Sequence, residues 1–442
     1  MAALLRSEES VVDVVGIGLG PSNLALAIAI EEFNQKTSPE QVLTAAFFEK
    51  QPSFGWHRGM LIEGATMQVS FLKDLVTMRN AVSPYGFLAY LQDKDRLADF
   101  INARSFFPLR IEFHDYLEWV AERFRHVVDY GCEVVEVRPV VRDGATELLD
   151  VVVRQGAQTF VQRTRNIVIA IGLEPSTPEV LPPSERVWHS SSLLMEAERF
   201  AEPSPRSFVV VGAGQSGAEA VEYLHREFPS ADVHAVFSRY GYSVSDDSAF
   251  TNRIFDPQAV DHHFDASDDV KRALYGYHAN TNYGVVDIDL IEDLYRRLYL
   301  ENVTGRRRLH IRNTSRITAA EAGPDGVRVD VEFLPTRETT TLHADAVVCA
   351  TGYRPADPVR LLGELASSCK QDEHGRLQVM RDYRVAGEES LRCGVYLQGG
   401  TEHSHGLSSS LLSNVAVRSG EIVDSLVRGR AGSAAPARPP VV

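Results

Sequence analysis

A strand, a glycine-rich turn and a helix follow one another at residues 11–31 and again at residues 207–227. This repeat predicts an α/β protein with two Rossmann-like dinucleotide-binding domains. A third observation sets their arrangement. Ile169-Ala170-Ile171-Gly172-Leu173-Glu174-Pro175 echoes Cys349-Ala350-Thr351-Gly352-Tyr353-Arg354-Pro355. Each is a hydrophobic strand that stops at glycine and turns at proline three residues later. One precedes the second glycine turn and the other follows it, so the second domain is expected as an insert in the first. The boundaries read as 1–203 for the first part of the outer domain, 204–344 for the insert, with a small, mostly helical region and a separate segment at 245–300, and 345–428 for the completion of the outer domain. Residues 429–442 are rich in Ala, Pro, Gly and Arg and read as a disordered tail.

In the first copy, the valines around Asp13 form a strand and Gly16, Gly18 and Gly20 form the turn. A helix starts at Pro21, with Leu24, Ala25, Ala27 and Ile28 on its buried face. Missing side chains let a diphosphate approach the backbone N–H groups, and the helix dipole favours its charge. The sixth fingerprint position is Pro21 rather than glycine, so a turn from another α/β fold is the plainer alternative. Residues 43–49 read as the next strand. It ends on Glu49, placed to accept hydrogen bonds from a ribose, or simply a surface glutamate. Residues 51–80 carry little periodicity but hold Trp56, His57, Met67, Gln68, Lys73 and Asp74. Residues 84–125 space their aromatics as core-facing helices do. Residues 133–138 and 148–154 read as antiparallel strands, and residues 166–171 as a buried one.

The second copy carries the full fingerprint, Gly212-x-Gly214-x-x-Gly217, between a strand at 209–211 and a helix at 218–227. The following strand, 233–237, ends on Ser238-Arg239. Arginine there suits the 2′-phosphate of NADP, where an acid would suit the 2′-hydroxyl of NAD; a solvated loop arginine is the alternative. Two fingerprints imply two dinucleotides, most economically FAD at the first and NADPH at the second. The cysteines Cys132, Cys349, Cys369 and Cys393 form no CxxC pair. This disfavours a dithiol centre, a zinc site and disulfides, and leaves oxygen as the expected oxidant. The net charge of −15 argues against nucleic acid or an anionic membrane as partner. Residues 1–10 lack the apolar run of a signal peptide, and Asp13, Pro21 and Asn23 argue against a membrane span at 11–30. A cytoplasmic location is expected.

Six motifs in order then become specific: Gly18-Leu19-Gly20-Pro21-Ser22-Asn23-Leu24, residues 67–75 (MQVSFLKDL), residues 247–252 (DSAFTN), Asn280-Thr281-Asn282-Tyr283, Ala350-Thr351-Gly352-Tyr353 and His405-Gly406-Leu407-Ser408. Over residues 10–428 the chain resembles the microbial N-hydroxylating flavin monooxygenases, specifically the L-ornithine N5-monooxygenases of hydroxamate siderophore biosynthesis. The resemblance implies that NADPH reduces FAD and that oxygen then forms a C4a-hydroperoxide, whose distal oxygen the side-chain amine attacks. It also implies a homo-oligomer, a tetramer or dimer. Lysine N6- and diamine (putrescine or cadaverine) hydroxylation are the alternatives.

Residue by residue, the resemblance makes Lys73 the partner of the substrate carboxylate, with Asn252, Asn282 and Ser408 also on the substrate. Asn282, Gln68 and Ser408 take the catalytic positions. FAD is expected against Gly16, Gly18, Gly20, Pro21, Ser22 and Asn23. Glu49, Lys50 and the backbone of Val134 are expected at its adenosine end. Trp56, His57, Met67, Gln68, His405, Gly406 and Leu407 are expected along its phosphates and ring. NADPH is expected at Gly212, Ala213, Gly214, Gln215, Ser216, Gly217 and Arg239, with Asn282 and Tyr283. His403 and His405 have only Glu402 nearby, and no metal is expected.

Overall fold

The computed structural model describes residues 10–200 and 205–430. Two five-stranded parallel sheets form its frame. The first runs Gly394–Leu397, Asn166–Ile169, Val14–Ile17, Ala45–Glu49, Val128–Tyr130. The second runs Val187–His189, Ala346–Cys349, Ser207–Val211, Asp232–Val236, Leu309–Arg312. Two antiparallel layers flank them. Strands Cys132–Arg142, Ala145–Gln155 and Gln158–Thr164 belong to one, and Ser315–Gly323, Gly326–Phe333 and Glu338–Ala344 to the other. Helices Pro257–Phe264, Asp268–His278 and Ile288–Thr304 supply the small helical region.

Helix Pro21–Asn34 is buried almost all round because it lies between the first sheet and the C-terminal helix Val415–Arg430. Residues 24–30 contain no charge, as that double burial requires. Asp13 divides the run of valines. It accepts hydrogen bonds from Thr44 N and Thr44 Oγ1 at 2.9 Å each. Val11–Val12 then pair with Gln158–Thr164, while Val14–Ile17 enter the parallel sheet. One expected strand is therefore two.

The second sheet takes in Val187–His189 and Ala346–Cys349, so the expected boundaries at 204 and 344 fall inside it. The two echoing segments pair with each other. Leu173–Pro175 and Tyr353–Pro355 form an antiparallel ladder, and Ser176 N donates to Gly352 O at 3.0 Å. Residues 429 and 430, expected in the tail, close the last helix; the rest of that tail and residues 1–9 lie outside the described residues.

The first strand and its neighbour meet without room for a methyl group. An added Cβ at Gly16 would lie 2.2 Å from Cδ1 of the buried Phe47 ring. Gly16→Ala is expected to destabilise the protein by about 1–3 kcal/mol through overpacking. Phe47→Leu in the same chain should recover part of the loss. Urea unfolding of the single and double variants checks both outcomes.

Candidate active site

Ligands of open parallel sheets sit beyond the carboxyl ends of the strands, where strand order reverses. Val14–Ile17 and Ser207–Val211 occupy that position in their sheets, and each feeds a glycine turn. At Gly18 (φ +83°) an added Cβ would lie 2.6 Å from Ala170 O. At Gly20 it would meet nothing within 4 Å, so this side of the turn is open. Pro21 begins the helix, where its missing N–H has no intrahelical partner to lose. Glu49 is buried, and its carboxylate accepts from Leu19 N at 2.7 Å and Gln51 N at 2.8 Å. It braces the turn directly. Lys50 beside it is exposed. Val134 sits at a register shift in its strand, before the unpaired Val135. A small-residue cradle, an open helix N-terminus and a braced turn together fit a dinucleotide diphosphate.

Several expected side chains point elsewhere. Asn23 is fully buried; its Nδ2 donates to Gly18 O at 2.8 Å and its Oδ1 accepts from Gln398 at 3.1 Å. It locks the turn from within and presents no side-chain atom to a ligand. Met67 packs into the core around helix Pro21–Asn34. The ring of His405 is held by Ser404 Oγ at 2.9 Å and Arg381 O at 3.2 Å and stacks on Tyr383. Burial drives its pKa down to about 3, so it is neutral. By contrast, His57 is exposed. Desolvation, with Arg110 and His114 adding, lowers its pKa to about 4. The Trp56 ring packs edge-on against it at 4.4 Å.

At the second turn, an added Cβ on Gly212 would lie 2.2 Å from Ala350 O, and one on Gly217 would lie 2.6 Å from Gly212 O. Helix Gln215–Glu227 starts directly after Gly214, three residues earlier than expected. Ala213, Gln215 and Ser216 are half-buried at its mouth. Arg239 is exposed at the end of the neighbouring strand and donates to Gly284 O. This lays the loop carrying Asn282 and Tyr283 across the turn.

A chain of polar groups, absent from the sequence reading, joins the two clefts. Arg110 makes a two-pronged pair with Glu219, at 2.8 and 2.6 Å, and donates to Met60 O at 2.8 Å. Gln215 Nε2 donates to Glu219 at 2.9 Å and to Asp287 at 3.2 Å, while its Oε1 accepts from Asp287 N at 2.9 Å. Gln68 donates to the same Asp287 carboxylate. Burial, with Glu219 and Asp289 nearby, raises the Asp287 pKa against that hydrogen bond. Gln68 and Gln215, expected on different cofactors, thus meet on one acid.

Three of the expected substrate residues, Lys73, Asn252 and Ser408, meet at the short helix Thr251–Phe255. Half-buried Lys73 sets its ammonium 5.6 Å from the Phe255 ring centre. Burial lowers its pKa, against the pull of Asp256. Asn252 lies in that helix and donates to Asp247 O at 2.6 Å. Ser408 and Leu407 line a cavity of about 220 Å³ with Phe250, Thr251 and Ile254; Gly406, at φ +80°, also borders it. The Asn282 segment joins through Asp246 N, which donates to Asn280 O at 3.3 Å. Asp74, flagged but given no role, anchors the Lys73 loop. Its carboxylate accepts from Val76 N at 2.9 Å, Thr77 N at 2.6 Å and Phe87 N at 2.7 Å. His403 contacts Leu377 O at 3.3 Å, so it and His405 are held apart on different backbone carbonyls.

A model of the L-lysine 6-monooxygenase/L-ornithine 5-monooxygenase family matches residues 10–355. An L-ornithine N(5)-monooxygenase of Burkholderia cepacia is 42% identical over 406 residues, 90% of each chain. One of Pseudomonas aeruginosa is 38% identical over 420 residues, 94% of this chain and 93% of that one. Among solved structures, an ornithine N-hydroxylase of Kutzneria sp. 744, with reduced FAD, NADP⁺ and L-ornithine, matches with a TM-score of 0.91 at 49% identity. That match covers 95% of this chain and all of the other.

The side chains of Arg110 and Glu219 are only 11% and 6% exposed. Glu219→Ala is therefore expected to destabilise the protein by about 3–5 kcal/mol, since it strands a buried guanidinium. Arg110→Met with Glu219→Leu should cost less than the single change. Urea unfolding of the two variants tests the ordering.

Proposed function

The chain belongs to the L-lysine 6-monooxygenase/L-ornithine 5-monooxygenase family, and on that premise we propose that it hydroxylates the side-chain amine of L-ornithine. FAD and NADPH are its cofactors. L-Ornithine, NADPH, a proton and O₂ give N5-hydroxyornithine, NADP⁺ and water. FAD, when bound, supplies the activation of oxygen with electrons from NADPH. The product would serve a hydroxamate siderophore or related natural product. The observation that carries this reading is the likeness to a complex holding reduced FAD, NADP⁺ and L-ornithine.

The residues supply binding and exclusion. Lys73 is the cation for the substrate α-carboxylate, held in place by the Asp74-anchored loop. Asn252, Asn282 and Ser408 orient the remaining polar groups. An alkyl ammonium has a pKa of about 10.4, so the reacting nitrogen arrives protonated and must become neutral to act as a nucleophile. Apolar walls such as Ile254 and Leu407 disfavour the charged form there. The same walls keep water from the reacting centre. Arg239, beside the second turn, selects NADPH through the 2′-phosphate. Lysine is the second reading within the family, and a diamine the third; a diamine has no carboxylate for Lys73. We further propose a cytoplasmic homo-oligomer, a tetramer or dimer, which sedimentation checks. Among the described residues, no helix is long and apolar enough to cross a membrane.

Hydroxylated product is expected with ornithine and little with lysine or putrescine. Equal turnover of all three would overturn the ornithine assignment. Lys73→Ala should raise KM for ornithine roughly 10-fold or more, the worth of one charge-assisted contact, while the NADPH affinity stays near its original value. Parallel assays of NADPH oxidation and product measure both.

A further inference from the structure

Arg418 is 1% exposed, and among the described residues no carboxylate lies within 4.0 Å of its guanidinium. Arginine does not lose its proton inside a protein, so the charge stays. The acids whose fields reach it are engaged elsewhere. Glu421 forms two 3.0 Å bonds with Arg381, and Glu402 accepts from Ser410. The guanidinium is held only by neutral groups. Nη2 donates to Ser22 Oγ at 3.3 Å, Nε donates to Gln398 Oε1 at 3.3 Å, and Nη1 donates to Ser409 O. The Tyr383 ring lies 5.9 Å from Cζ.

The location deepens the anomaly. Ser22 is the second residue of the 14-residue helix Pro21–Asn34, beside the first glycine turn. Arg418 itself stands in the opening turn of the 16-residue helix Val415–Arg430. Helix N-termini carry partial positive charge and favour anions. Here a buried cation joins the positive ends of two long helices. One turn earlier, Asn414 is 2% exposed, and neither its Oδ1 nor its Nδ2 has a partner. Three positive elements converge, and the nearest acids, Glu402 and Glu421, act on the guanidinium only from a distance.

We propose that Arg418 is the fixed cation of the FAD site, a positioning residue whose counter-charge is the diphosphate of the dinucleotide. It acts through Ser22 and the first turn of helix Pro21–Asn34. This rests on the reading that FAD occupies the first turn. It explains why one side chain touches the glycine-turn helix, the end of strand Gly394–Leu397 at Gln398, and the segment that carries Ser408. Ligand charge completes a site whose buried cation touches no carboxylate among the described residues.

The test uses flavin-stripped full-length protein and titrates FAD, ADP and riboflavin, with melting followed in parallel. Arg418→Met should raise Kd for FAD and for ADP by the same factor, at least tenfold, and leave riboflavin unchanged. Arg418→Lys, which keeps the charge, should fall between. The rise in Tm on adding FAD should shrink in Arg418→Met. Wild-type apoprotein should also gain Tm from inorganic pyrophosphate but not from chloride of equal ionic strength, a measurement that needs no variant. Equal Kd values in wild type and Arg418→Met, an equal effect on riboflavin, or no pyrophosphate effect would overturn the proposal. Wild-type apoprotein that fails to take up FAD would instead overturn the reading beneath it.

Discussion

The buried pair of Arg110 and Glu219 constrains everything built between the two sheets. Arg110 opens the helix Arg110–Arg123 of the first domain, and Glu219 lies in the helix that follows the second glycine turn. Two bonds between a planar guanidinium and a carboxylate fix orientation as well as distance. Glu219 shares Gln215 with Asp287, and Asp287 takes the amide of Gln68. The relative placement of the two nucleotide turns is thus tied to the rotamers of two glutamines. Nε2 of each glutamine donates to an acid, and the Gln215 carbonyl is consumed by Asp287 N.

Burial also sets the charge of the cleft. His405 is driven down to about 3, so its imidazole adds no cation near neutral pH. A substrate that brings its own ammonium meets less repulsion as a result. Lys73 keeps its place for a different reason. Asp74, 2% exposed, gathers three backbone N–H groups and fixes the loop so that its neighbour points toward Phe255. Anchor and cation are adjacent residues with opposite fates, one wholly inside and one half out.

The frame was legible in the sequence because its signals are local. Glycine spacing at 16–20 and 212–217 dictated the turns; the proline-ended echoes at 169–175 and 349–355 were visible as a repeat, but not that they pair with each other. Where long-range pairing decides, the sequence was silent. Nothing local to Arg110, Glu219 or Asp287 announces a partner more than 70 residues away. Asp13 has the same character: it splits one valine run between two sheets because Thr44 is opposite it. The motif residues Asn23 and His405 were found by resemblance, yet their packing gives them interior bonds that a motif does not display. The reverse holds for Arg418, which belongs to no motif quoted in the sequence reading.

The order of strands in the first sheet also governs how the chain can assemble as it is made. Gly394–Leu397 flanks Asn166–Ile169, and helix Val415–Arg430 covers helix Pro21–Asn34. The second sheet, by contrast, has all its strands once residue 349 has emerged. During vectorial synthesis, at roughly 5–20 residues per second, the second sheet can therefore close while the first is still missing an edge strand and the helix that covers it. For that interval the apolar flank of helix Pro21–Asn34 stands bare, and the nascent chain depends on residues 394–430 to cover residues 21–34.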